Sequence, residues 1–113
     1  MHEMALAEGV LGIIESAQRA QHFHAVRVVR LEIGELAGVE VAALLSCLDI
    51  ALRRSVAHAA RIECAAAPGR GWCMDCARSV SIATLYASCP HCGGAQVQAT
   101  DGLQMRVQDL MVE

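Results

Sequence analysis

With 113 residues, 55% of them hydrophobic, 19% charged and 3% aromatic, the chain has material for one compact domain, or a small domain plus a metal-stapled module, packed mainly through aliphatic side chains. The net charge is -3 and the nine basic residues are all scattered arginines, so the basic face expected of a nucleic-acid binder is missing. Glu3, Glu8 and Glu15 interrupt the first apolar stretch, which therefore reads neither as a secretory signal nor as a membrane span. A cytoplasmic location is expected, and in that reducing environment six cysteines ask for a metal before they ask for disulfides.

In chain order, Leu6, Val10, Ile13 and Ala17 fall on one face of residues 4 to about 21, with Ala7, Leu11 and Ile14 beside them, which predicts an amphipathic helix. Val29, Leu31 and Ile33 alternate with Arg30 and Glu32, a strand that stops at or shortly after Gly34 in GELAGVE. Val41, Leu44, Leu45, Leu48 and Leu52 follow helical spacing, with Arg53 and Arg54 where cations suit the helix dipole. A second strand is expected where Ile62, Cys64 and Ala66 alternate with Arg61 and Glu63, ending at about Pro68. Leu103, Met105 and Val107 predict a third strand, and the change of parity at Leu110 and Val112 predicts a bulge around Gln108 and Asp109. The order gives an α+β fold: two helices packed on a three-stranded sheet, with an inserted four-cysteine, zinc-ribbon-like module. The expected division is residues 1–68 plus 95–113 as one domain and 69–94 as the module.

The insert reads GWCMDCARSVSIATLYASCPHCGG. Cys73 and Cys76 are two residues apart, Cys89 and Cys92 likewise, and the stretch between the pairs is long enough for a hairpin that brings four thiolates round one ion. Four thiolates fill a tetrahedral zinc site and leave no position for water, so the site reads as structural. The same knuckle serves iron proteins, and a rubredoxin-like or iron-sulfur site is the alternative at this point. Gly93 and Gly94 follow the last cysteine, where a positive φ aims backbone N–H groups at sulfur. Cys47 and Cys64 read as small core hydrophobes. His22, His24 and His58 read as solvated or locally bonded rings, and His91, inside the second knuckle, carries no assigned role.

His2 differs, because the α-amine of Met1, the His2 amide and the His2 Nδ1 can close fused five- and six-membered chelate rings. Another backbone nitrogen, such as that of Glu3, or a side chain completes four in-plane nitrogens, which Ni(II) and Cu(II) favour and zinc does not. Spacing alone leaves that reading weak.

Taken together, MHEMALAEGVLGIIE, VRLEIGELAGVE, CMDC and CPHC resemble the HypA/HybF family of hydrogenase nickel-incorporation proteins along the whole chain. The resemblance implies a metallochaperone and not an enzyme. Its cargo would be Ni(2+), held by Met1, His2 and Glu3, and its structural ion Zn(2+), held by Cys73, Cys76, Cys89 and Cys92. The implied partners are the HypB-like maturation GTPase and the large-subunit precursor of [NiFe] hydrogenase, with no nucleic acid and no membrane. Two positions depart from the family pattern: Val41 stands where a proline is expected and Cys64 where a larger aliphatic is usual.

Overall fold

The structure is a computed structural model, and it describes residues 2–113. Two helices and six strands follow in the order α1 (Glu3–Gln21), β1 (Val26–Gly34), α2 (Val41–Leu52), β2 (Arg61–Ala67), β3 (Arg70–Cys73), β4 (Arg78–Ser81), β5 (Val97–Asp101) and β6 (Met105–Val112). One sheet has the strand order β2-β1-β6 and the other β4-β3-β5. The class is the expected α+β fold with a cysteine-bearing insert. Two compact units result, one of residues 1–32, 39–65 and 106–113, the other of residues 33–38 and 66–105.

In the first unit α1 packs against α2. Ala7, Val10 and Ile14 of α1 are buried, as are Leu44, Leu48 and Leu52 of α2, each set repeating every three or four residues as a single helical face requires. Val29 and Leu31 of β1 are fully enclosed. Some expected core positions fall outside: Ile13 is 48% exposed, and Val41 and Leu45 are 40% exposed. A helix buries a stripe about 100° wide, and the residues flanking that stripe stay in water.

The second strand departs further from expectation. Ile62 is half-buried, but Cys64 and Ala66 are exposed. β2 is an edge strand, with a neighbour on one side only, so alternation along it does not guarantee cover. Cys64 is therefore no core residue, while Cys47 on α2 is partly buried. The last strand starts at Met105 and leaves Leu103 outside it, 40% exposed. Its burial shifts parity between Val107 and Leu110, where the sequence places a bulge. On the solvent side Arg30 of β1 donates to Glu63 of β2 (3.2 Å) and to Asp109 of β6 (3.3 Å), and so links all three strands.

The second unit is built on β3, which pairs antiparallel with β4 on one side and β5 on the other. Its core is small: Leu36, Cys73, Val80, Ile82 and Cys89. Residues 33–38 are tied in by backbone bonds, Gly34 N–H to Gln104 O (2.9 Å), Glu35 N–H to Ala67 O (2.9 Å) and Leu36 N–H to Gly102 O (2.8 Å). Gly34 has no alternative there, because a Cβ would collide with the Gly102 carbonyl and lie 2.9 Å from Gln104 O. β5 has no counterpart among the expected strands; residues 97–101 join the cysteine-bearing sheet through their pairing with β3.

Candidate metal centres

Cys73 ends β3, and Cys76 follows in the turn that leads into β4, where Cys73 faces Arg78 across the ladder. Each C-x-x-C pair closes on itself through a backbone bond, Ala77 N–H to Cys73 O (2.9 Å) and Gly93 N–H to Cys89 O (2.8 Å). The residue after each pair is left-handed, Gly93 at φ 74° as the sequence predicts and Ala77 at φ 53°, a conformation an alanine adopts at a cost. Two like-built knuckles thus face each other. All four sulfurs lie within 4.8 Å of one another. Cys73 Sγ is 3.6 Å from Cys92 Sγ, and Cys76 Sγ is 3.8 Å from Cys89 Sγ.

Those spacings can be tested against an ion. Zn–S bonds of about 2.3 Å at tetrahedral angles place sulfurs about 3.8 Å apart, so the donor set fits zinc in number, chemistry and size. The surrounding amides fit as well: His91 and Cys92 donate N–H groups to Cys89 Sγ and Gly94 to Cys92 Sγ, each at 3.4 Å, an arrangement that stabilises negative charge on sulfur. Among the thiols, the Cys92 N–H, with that of His91, holds Cys89 down to about 7. Desolvation, reinforced by the adjacent Cys73 thiol, pushes Cys76 up to about 12. A cation is what allows all four to deprotonate together. His91 is exposed in its knuckle, its Nδ1 3.5 Å from Arg78 Nη1.

At the other candidate site, Met1 lies outside the described residues. His2 is the N-cap of α1 with extended backbone (φ -85°, ψ 116°), and its carbonyl accepts the Leu6 N–H at 3.2 Å. The exposed ring makes no capping bond to the helix. Amides at an N-cap and in the first turn precede the intrahelical ladder, so the N–H groups of His2 and Glu3 are not spent on it. The Glu3 carboxylate is engaged elsewhere: its Oε2 accepts the Glu40 N–H at 3.2 Å, and this bond, followed by one within Glu3 itself, holds the carboxyl below its usual range. Glu40 in turn caps α2, accepting from Ala42 N–H (3.3 Å) and Ala43 N–H (2.6 Å). Sequence reasoning passed over Glu40, although an acid just ahead of an apolar helical run is the local signal of an N-cap.

The family model described as "Hydrogenase/urease nickel incorporation, metallochaperone, hypA" matches residues 1–112. The chain belongs to the HypA family. Two relatives in it, each named Hydrogenase maturation factor HypA, support the assignment along the full length. That of Albidiferax ferrireducens is 53% identical over 113 residues, 100% of both chains. That of an Azoarcus species is 56% identical over 110 residues, 97% of this chain and 96% of its own. The HypA fold is shared with a protein described as "the Ni metallochaperone HypA from Helicobacter pylori", whose solution structure covers 99% of this chain and 97% of its own with a TM-score of 0.73 at 23% identity. Among the described residues no helix is long and apolar enough to cross a membrane.

Proposed function

We propose that this HypA-family chain is a cytoplasmic nickel metallochaperone that binds Ni(II) at its N-terminus and delivers it to the large subunit of [NiFe] hydrogenase during maturation. The nickel ligands are the Met1 amine, the His2 amide and Nδ1, and the Glu3 amide. The observation that carries the reading is the placement of His2: an N-cap whose ring is not used to cap α1 and whose amide lies ahead of the helical ladder. Two deprotonated amides and two neutral nitrogens offset the two charges of nickel, so the complex does not oppose the positive end of the helix dipole. The Glu3 side chain acts as a tether to Glu40 rather than as a ligand. Zinc held by Cys73, Cys76, Cys89 and Cys92 supplies four strong bonds that fix the knuckles, and no position is left for substrate.

Residues 1–68 and 95–113 carry the exchangeable site and residues 69–94 the permanent one, so loading and docking are separate tasks. The partners are the HypB-like maturation GTPase and the large-subunit precursor, and no covalent bond of a substrate is broken. Nickel binding displaces protons from the amine and amides, so acidification favours release.

Nickel titration of protein with a native N-terminus, followed by zinc analysis of the same sample, is the direct experiment. His2→Ala, or one residue added ahead of Met1, is expected to abolish nickel binding while zinc content and fold persist. Unchanged nickel stoichiometry in both variants would overturn the proposal.

A further inference from the structure

We propose that the outer face of the β4-β3-β5 sheet docks an acidic, extended segment of a partner protein, Arg70 taking a carboxylate and Trp72 an aromatic ring. β3 is the central strand of that sheet, and its side chains alternate, with Gly71 and Cys73 buried and Trp72 43% exposed. The chain has one tryptophan, and it stands on the solvent side of a strand whose inward positions hold a glycine and a cysteine. Ser79 of β4 and Gln98 of β5 lie directly opposite it, one on each side, and both are themselves exposed. An indole left uncovered at the centre of a sheet adds nothing to the core beneath it. Tryptophan and arginine are the residues that most often anchor a partner once water is excluded.

The arginine is on the same face. Arg70 lies opposite Ser81, and its guanidinium donates to Ser81 Oγ (2.8 Å) and Ser79 Oγ (3.0 Å). Arg27, Arg30, Arg53, Arg61 and Arg106 each form an ion pair, whereas Arg70 pairs with no carboxylate among the described residues. Asp101, opposite Arg70 on β5, accepts from Thr100 Oγ1 at 3.2 Å instead. Two neutral hydroxyls thus fix the guanidinium in place without neutralising it. Its remaining N–H groups and the protons of both serines stay available to an anion, and a planar fork suits a carboxylate.

Spacing and charge together select the occupant. Side chains two residues apart on an extended chain project from one face about 7 Å apart, which is how Arg70 and Trp72 are set along β3. A partner segment lying along β3 therefore meets both when one residue separates its acid from its aromatic ring. Single-stranded RNA fits less well, because one free arginine beside Asp101, in a chain of net charge -3, offers successive phosphates little.

The test uses the full-length protein, metal-loaded as purified. It is panned against a phage-displayed library of random dodecapeptides, and the recovered peptides are synthesised and titrated into isotope-labelled protein. Enrichment of an acid and an aromatic residue separated by one position is expected, with shifts concentrated at the Trp72 indole N–H and the Arg70 Nε–H. Trp72→Ala and Arg70→Gln should each weaken the selected peptide about tenfold or more. Arg70→Lys keeps the charge but loses the fork, so an intermediate loss is expected, with metal content and amide dispersion unchanged. That variant alters only a surface side chain and remains decisive where Trp72→Ala does not fold. Selected peptides without an acid, no enrichment at all, shifts confined to other strands, wild-type binding by Arg70→Lys, or oligouridylate binding at Trp72 more tightly than the peptides would each overturn the proposal.

Discussion

Stripping the metal from the four cysteines is expected to unfold the unit of residues 33–38 and 66–105 while the helical unit stays folded. Two of the five core residues of that unit, Cys73 and Cys89, are themselves sulfur donors, which leaves Leu36, Val80 and Ile82 as its buried aliphatic side chains. Full burial of three such chains contributes roughly 5–9 kcal/mol. A structural zinc site contributes about 10–16 kcal/mol, so a zinc ion held by these four thiolates would stabilise this unit more than its apolar core does. Shared over four thiolates, that is about 2.5–4 kcal/mol each, and Cys73→Ser should weaken zinc binding on the order of a hundredfold or more. Amide resonances of β3, β4 and β5 report directly, and Trp72, the single tryptophan, sits beside Cys73 on β3 as a fluorescent probe. After chelation those resonances should collapse to unfolded positions while the helical circular dichroism of α1 and α2 remains. Protein shown by elemental analysis to be metal-free that keeps dispersed β3–β5 resonances would refute the reasoning.

Ala77→Gly should stabilise the first knuckle by about 1 kcal/mol, because glycine holds the left-handed conformation without the Cβ penalty, and resistance to chelator is the readout. Gly34→Ala drives a Cβ into the Gly102 carbonyl and should destabilise the protein by roughly 1–3 kcal/mol or more, measured as a fall in denaturation midpoint. Glu63 is held below the usual carboxylate range by Arg61 first and Arg30 second, so its contribution is present at neutral pH and is lost as pH falls through its folded-state value. Glu63→Gln should accordingly lower the melting temperature at pH 7 and have a progressively smaller effect as the pH is lowered through the acid range; an effect independent of pH would contradict the ion-pair account.

What the residues alone determine is what neighbours in sequence can enforce. Val10 and Ile14 fix the buried stripe of α1, Leu44, Leu48 and Leu52 that of α2, and the C-x-x-C pairs fix the four sulfurs, since a turn of four residues is enough to aim two thiolates together. The left-handed Gly93 is legible for the same reason, and the proposed chelate at His2 is likewise read from its own chain neighbours. The tertiary structure decided matters that depend on distant chain. Cys64 has the alternation of a core residue and is exposed, because alternation assigns a residue to one face of a strand while cover depends on what packs over that face, and β2 lies at the edge of its sheet. Residues 97–101 carry only a short alternation, Val97 and Ala99 with Gln98 and Thr100, and become β5 through pairing with β3. The Glu3 carboxylate has no visible partner when only its chain neighbours are in view, and the fold brings the Glu40 amide, 37 residues away, to it. Short-range spacing sets which atoms can share an ion or a helix face, whereas burial, pairing and the use of a carboxylate depend on what folding places opposite them.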